Sequence, residues 1–232
     1  MDSEDVVLDL EKVASTEKAA FFPNFFKTGP GQYGEGDKFI GVTVPNQRVI
    51  AKKYTSISLN ELSKLLASPI HEHRLTALLI LVGKYEKANL QERKEIYEFY
   101  LANLKGVNNW DLVDSSAYKI AGAYLSDKPK DVLYRFAKSS NIWERRIAII
   151  STLYFIRNKQ FEDTIKISEL LLTDKEDLMH KAVGWMLREM GKQSESTLLQ
   201  FLDLYYKQMP RTALRYAIER LSFDKKKKYM TK

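Results

Sequence analysis

Trp110 and Asp114 stand four residues apart in the stretch "VNNWDLVDSSAY", residues 107–118. Positions four apart on a helix share a face, so an indole plate and a carboxylate would project side by side. Two later segments vary the theme. Trp143 and Arg146 lie three apart in "NIWERRIA", and Lys181, Trp185 and Arg188 follow at i, i+4 and i+7 in "HKAVGWMLRE". An electron-rich ring beside a carboxylate suits a transient positive charge, because the ring quadrupole and the carboxylate both attract it. Each residue alone has a plainer reading: a helical tryptophan packs in the core, an aspartate caps or meets the helix dipole, an arginine makes a salt bridge. Asn108 or Asn109 is the better cap, which leaves Asp114 inside the helix. The pattern gains weight because it recurs, and because all three tryptophans of the chain take part in it.

The net charge of +7 points to a polyanionic partner, nucleic acid first. Part of that excess sits in the terminal "DKKKKYMTK". The chain has no cysteine, which excludes disulfides and thiolate metal sites. His71, His73 and His180 lack HExxH spacing, so neither metal nor cofactor is expected. The acidic start carries no signal-peptide pattern, and no run of 18 apolar residues could span a bilayer. A soluble, cytoplasmic protein that avoids membranes is the expectation.

The elements that must position these residues are helices. Only ten glycines and six prolines occur in 232 residues, and five of the glycines fall between Gly29 and Gly41. The rest is nearly free of helix breakers, which predicts an all-α protein. A first helix is expected over 3–20 and an ordered aromatic, glycine-rich loop from "FFPNFF" to Pro45. The loop contains "GPGQYG", a literal GxGxxG, but no strand precedes it and no βαβ unit surrounds it. Pro45 suits the start of the next helix, and "SLNE", Ser58 to Glu61, has the form of a capping box. From there similar segments recur. With Arg74, Asp114, Arg146, Lys181 and Arg215 as markers, the intervals are 40, 32, 35 and 34 residues. Such a period predicts HEAT-like or armadillo-like helix pairs stacked in a right-handed solenoid. The expectation is one domain over 1–232, its basic markers lining a concave face and its lysine-rich tail running over 224–232. A monomer is expected, since a capped solenoid needs no partner.

"NNWDLVDSSA", "IWERRIAI" and "KAVGWMLRE", in this order and at these separations, resemble the DNA alkylation repair family of the AlkD type. That resemblance implies a DNA glycosylase of base excision repair, built of HEAT-like repeats. It would act on duplex DNA containing cationic alkylated purines such as 3-methyladenine and 7-methylguanine. Asp114 matches the catalytic aspartate, Trp110 and Trp185 the tryptophans that meet the damaged nucleotide's sugar and backbone, and Arg146 an arginine that contacts DNA. Lys181 and Arg188 complete the DNA-binding set, with an ion pair to a neighbouring helix as the other reading of Arg188; Trp143 is expected in the core. The resemblance gives no role to Tyr33 or Asp37. It also implies that the lesion stays in the groove rather than entering a pocket, and the sequence offers no pocket motif.

The chemistry agrees with that reading. Most sugar hydrolases need two carboxylates, one of them to protonate the leaving group. A cationic base departs neutral and needs no acid, so one carboxylate can suffice. No lysine stands out as a Schiff-base nucleophile, which predicts a monofunctional enzyme without strand cleavage. Two other readings compete: a non-catalytic HEAT-repeat protein that binds damaged or branched DNA, and a protein scaffold that does not bind DNA at all.

Overall fold

The computed structural model describes residues 1–230, and among them the protein is all-α. Fifteen α-helical segments are joined by turns, one 3-10 turn and one π-helical turn; the only β-type pairing is an isolated bridge between Lys38 and Ile70. The scarcity of breakers after the glycine-rich loop is the reason. None of these helices is long and apolar enough to cross a membrane. By their contacts the helices gather into two compact units, Met1–Tyr124 and the chain from Leu125 onward.

In the first unit the helix His71–Lys87 is the hub. Val44–Lys53, Leu59–Leu66 and Trp110–Ala117 all pack against it. Leu75, Leu78, Ile80 and Leu81 are buried all round it, as a helix enclosed by neighbours requires. In the second unit Ile142–Arg157 packs on Asp177–Gln193, which packs in turn on Arg211–Ile218. So within each unit the helices that carry successive markers stack directly on one another, in keeping with a repeat architecture.

Several local expectations change. The helix predicted over 3–20 is two helices, Ser3–Glu11 and Thr16–Phe25. Ser15 caps the second through its hydroxyl, which accepts from the Lys18 amide. That second helix runs into the stretch read as loop and holds Pro23 within it. Only half of the capping box forms: Ser58 accepts from the Glu61 amide, while the Glu61 carboxylate reaches across to the Ser3 amide and hydroxyl, at 3.0 and 2.7 Å. The basic markers do not line one surface. Arg74 and Arg146 are each 4% exposed, because each guanidinium is occupied inside the protein. The tail is helical over Phe223–Met230, with Tyr229 buried and Lys228 paired to Asp203; its last two residues lie outside the described part.

Gly184 explains itself by packing. A Cβ there would stand 2.5 Å from the Ala213 carbonyl oxygen and 2.5 Å from Tyr216 Cβ, so the glycine lets two helices touch backbone to backbone. Alanine at a helix interior would gain about 0.5–1 kcal/mol in propensity, but overpacking against backbone costs about 1–3 kcal/mol. Gly184→Ala should therefore lower the denaturant midpoint; an unchanged or raised midpoint would show that the two helices can part without cost.

Candidate active site

The helix Trp110–Ala117 begins at Asn109, whose side chain accepts from the Trp110 amide at 2.8 Å. That cap places Asp114 within the helix, one turn beyond Trp110 and on the same face. Both side chains are half-buried. The helix then widens into a π-helical turn, Tyr118–Gly122, a distortion frequent at functional sites.

Beneath Trp110 lies a buried polar network that motif reading did not find. His71 Nδ1 donates to Asp37 at 2.9 Å, and Nε2 donates to Asp111 at 2.8 Å. Arg74 donates to the other oxygen of Asp37 at 2.6 Å and to the Ser68 carbonyl at 2.9 Å. Asn109 donates its amide to Asp37 at 3.1 Å, so the residue that caps the Trp110–Ala117 helix is itself held by the network. Burial works against a charged His71, but Asp111 and Asp37 outweigh it and raise its pKa to about 9. Burial likewise opposes ionisation of Asp37; the hydrogen bond from His71 and the charge of Arg74 prevail and hold its carboxyl below the usual value. Two cations and two carboxylates thus balance.

The glycine-rich loop reaches the network by a socket. Glu72, 1% exposed, accepts from the amides of Ile40, Gly41 and Val42, the shortest at 2.8 Å from Gly41. Gly41 has φ of +80°, and a Cβ there would meet the Ser15 carbonyl oxygen at 2.0 Å. Only glycine permits that turn and that approach. The loop is therefore a fixed strap that delivers Asp37 to His71, which answers what role Asp37 has.

Above the network the aromatic residues gather. Phe26 stacks on Trp110 at 5.5 Å and on Phe39 at 5.1 Å, and lies 4.7 Å from the His71 ring. Phe25 meets Trp110 edge to face at 5.9 Å. These rings line a cavity of about 530 Å³ into which Asp114, Tyr118, Arg48 and Lys119 also face. No cluster of metal-ligating side chains occurs among the described residues.

The remaining site candidates belong to the second unit. Trp143 is 8% exposed and buried, as expected. Arg146 donates to the Leu178 carbonyl at 2.7 Å. Buried to 4% exposure, it anchors the first turn of the helix that bears Lys181 and Trp185. Its neighbour Arg145 is equally occupied, donating to Asp174 at 2.7 Å. Lys181 pairs with Asp177 at 2.7 Å on a half-exposed face. Trp185 is half-buried and donates its indole N–H to Glu189 at 3.2 Å. Arg188 pairs with Glu219 beyond the neighbouring helix, the ion-pair alternative. Asp114 and Trp110 are thus brought together in the first unit, and Lys181, Trp185 and Arg188 share one helix of the second.

Comparison with known proteins decides the family. Residues 6–221 match the family described as DNA alkylation repair enzyme. The chain belongs to that family. No curated protein matches it. A solved structure, described as a predicted DNA alkylation repair enzyme from Enterococcus faecalis, is similar over 90% of this chain and 97% of its own, with a TM-score of 0.71 at 18% identity. At that identity the likeness speaks for a shared fold. This member of the DNA alkylation repair enzyme family is therefore associated with DNA repair, and the aromatic and acidic residues around Trp110 are its candidate centre.

Proposed function

We propose that this protein hydrolyses the N-glycosidic bond of cationic alkylated purines, 3-methyladenine or 7-methylguanine, in duplex DNA. The observation that carries this reading is the pairing of Trp110 and Asp114 on one half-buried helical face, open to a common cavity, in a chain of the DNA alkylation repair enzyme family. The bond to a cationic base breaks with the electron pair leaving on the base, which becomes neutral, and positive charge develops on the deoxyribose. The Asp114 carboxylate stabilises that charge and orients the attacking water. The face of Trp110 adds a cation–π attraction to the sugar. Lys181 and Arg188 contribute positive charge along the backbone. Arg146 acts by fixing the helix that carries them. Water adds to the sugar carbon and gives up its proton to solvent, leaving an abasic site and an intact strand.

The test is release of free base from methylated duplex DNA, with and without EDTA, beside a titration of duplex affinity against salt. The expected result is release of 3-methyladenine or 7-methylguanine that EDTA does not touch, and an affinity that falls steeply with salt. Duplex binding without release would move the protein to the class of silent DNA-damage binders. Salt-insensitive or absent binding would favour a scaffold.

A further inference from the structure

We infer that Asp37 and His71 are positioning residues for base release: through Asn109 and Asp111 they pin the two chain neighbours of Trp110, and so fix the indole and the helix that carries Asp114. The inference rests on the proposed function. It makes the glycine-rich loop, which supplies Asp37, a working part of the site.

Trp110 stands between two clamped residues. Asn109, fully buried, donates to Asp37 at 3.1 Å, while its side-chain oxygen accepts from the Trp110 amide at 2.8 Å. Asp111, also buried, accepts from His71 at 2.8 Å with one oxygen and from the Leu112 amide at 2.9 Å with the other. Asp37 and His71 are themselves joined at 2.9 Å. A closed circuit therefore runs from Asn109 through Asp37 and His71 to Asp111, and the backbone of Trp110 completes it. The indole is held from the same point. His71 packs on Phe26 at 4.7 Å and on Phe39 at 4.9 Å, and Phe26 stacks on Trp110 at 5.5 Å. Backbone and ring of Trp110 thus both take their place from one imidazole.

Neither capping nor stability asks for this much. Any side-chain acceptor at position 109 would cap the helix, and serine would do so as well as asparagine. A buried ion network is often no more stable than apolar residues of the same volume. What a fully satisfied network supplies is a single, rigid arrangement. Catalysis does ask for that, since a misplacement of about 1 Å can cost a factor of about 10² in rate. The circuit also needs both imidazole N–H groups, one for each carboxylate, so it is complete only while His71 is a cation. The charged groups around His71 are Asp37 from the loop, Asp111 from the Trp110 helix, and Arg74 on its own helix, bonded to Asp37. Glu72 is turned to the amides of Ile40, Gly41 and Val42; Arg48, Asp114 and Lys119 line the cavity that His71 also lines. Loss of the proton would take away one of the two donors and open one clamp.

The test is single-turnover release of 3-methyladenine from methylated duplex DNA across pH, corrected for uncatalysed loss, beside duplex affinity. Circular dichroism checks that each protein is folded. Asn109→Ser keeps an acceptor for the cap and loses the reach to Asp37. A residue that only capped the helix would tolerate the change. As a link in the circuit, its loss should slow release about tenfold and leave duplex affinity within about twofold of wild type. Wild-type release should fall about tenfold, to a plateau, as pH rises through about 9. His71→Gln keeps one donor at most and should sit near that plateau at every pH. Glu61→Ala, which removes the bonds to Ser3 and no part of the circuit, is the destabilised control and should keep the wild-type rate and profile. Wild-type rates in Asn109→Ser or His71→Gln, a flat wild-type profile, a parallel loss of affinity, or equal slowing in Glu61→Ala would overturn the inference. The indole N–H resonance of Trp110, identified by its loss in Trp110→Phe, reads the positioning without the reaction. It should be single and sharp in wild type at neutral pH, and broaden or double in Asn109→Ser and above about pH 9. If wild type releases no base but the resonance behaves in this way, the glycosylase reading fails and the positioning of Trp110 stands. A resonance unchanged by both sinks the positioning, whatever the activity.

Discussion

Replacing Asp114 by Asn is expected to slow single-turnover base release by at least about a hundredfold while leaving duplex affinity equal or higher. The amide keeps the size and hydrogen-bonding reach of the side chain and removes only its charge. In the proposed reaction that charge matters when the sugar becomes cationic, so the loss falls on the transition state and not on binding. Removing one preorganised electrostatic partner from a water-poor site typically costs a factor of about 10² to 10³. Duplex affinity should not fall, because a negative charge near phosphates has been taken away. Asp114 is half-buried and within a helix capped by Asn109, so the fold should survive. Release by the variant at the wild-type rate would remove Asp114 from the centre of the chemistry.

The second large effect concerns the buried network, and stability reports it. Arg74→Met would leave Asp37 with its partners His71 and Asn109 but without its guanidinium. Breaking a buried pair from one side costs about 3–5 kcal/mol, enough to threaten folding of the first unit. The pH dependence gives a milder test with a definite sign. His71 has a folded pKa raised from 6.5 to about 9. Its contribution is therefore complete below about pH 6.5 and is lost as pH rises through 9, an effect on the order of 3 kcal/mol. Asp37 has a lowered folded pKa, so its contribution is present above the ordinary carboxylate range and is lost only as pH falls below it. Wild type should lose stability between pH 6.5 and 9, and His71→Gln should flatten that slope while starting from a lower midpoint. The same slope in both proteins would mean that His71 is neutral in the fold.

How much of this could be read from the sequence depended on distance along the chain. The helices were legible because periodicity is local, and the Trp110–Asp114 pair was legible because four residues on a helix is a fixed geometry. Asn109 as the cap was likewise within reach of local rules. The network was not, since Asp37, His71 and Asp111 lie in separate elements and no motif joins them. The cavity was hidden for a related reason. "FFPNFF" has the composition of a core segment, and nothing in it says that Phe25 would face outward or that Pro23 would ride inside a helix. The failed capping box has its own physical cause: Glu61 found a partner in the first helix and left its own amide neighbour. Arg74 and Arg146, which the repeat period predicts at the surface, are buried because each guanidinium has internal acceptors that hydropathy cannot foresee.

The open aromatic helix also has a colloidal consequence. Phe21 and Phe25 are 59% and 50% exposed, and they sit within 6.3 Å of one another in a stacked pair. Apolar surface of this kind invites self-association, and polar replacements would blunt a wall of the cavity. A net charge of +7 keeps copies apart by mutual repulsion, without altering either ring. That repulsion is screened as the Debye length shrinks from about 10 Å at 0.1 M salt to about 3 Å at 1 M. The lysine excess that favours a polyanionic partner thus also keeps the free protein dispersed, and concentrated brine would withdraw both benefits together.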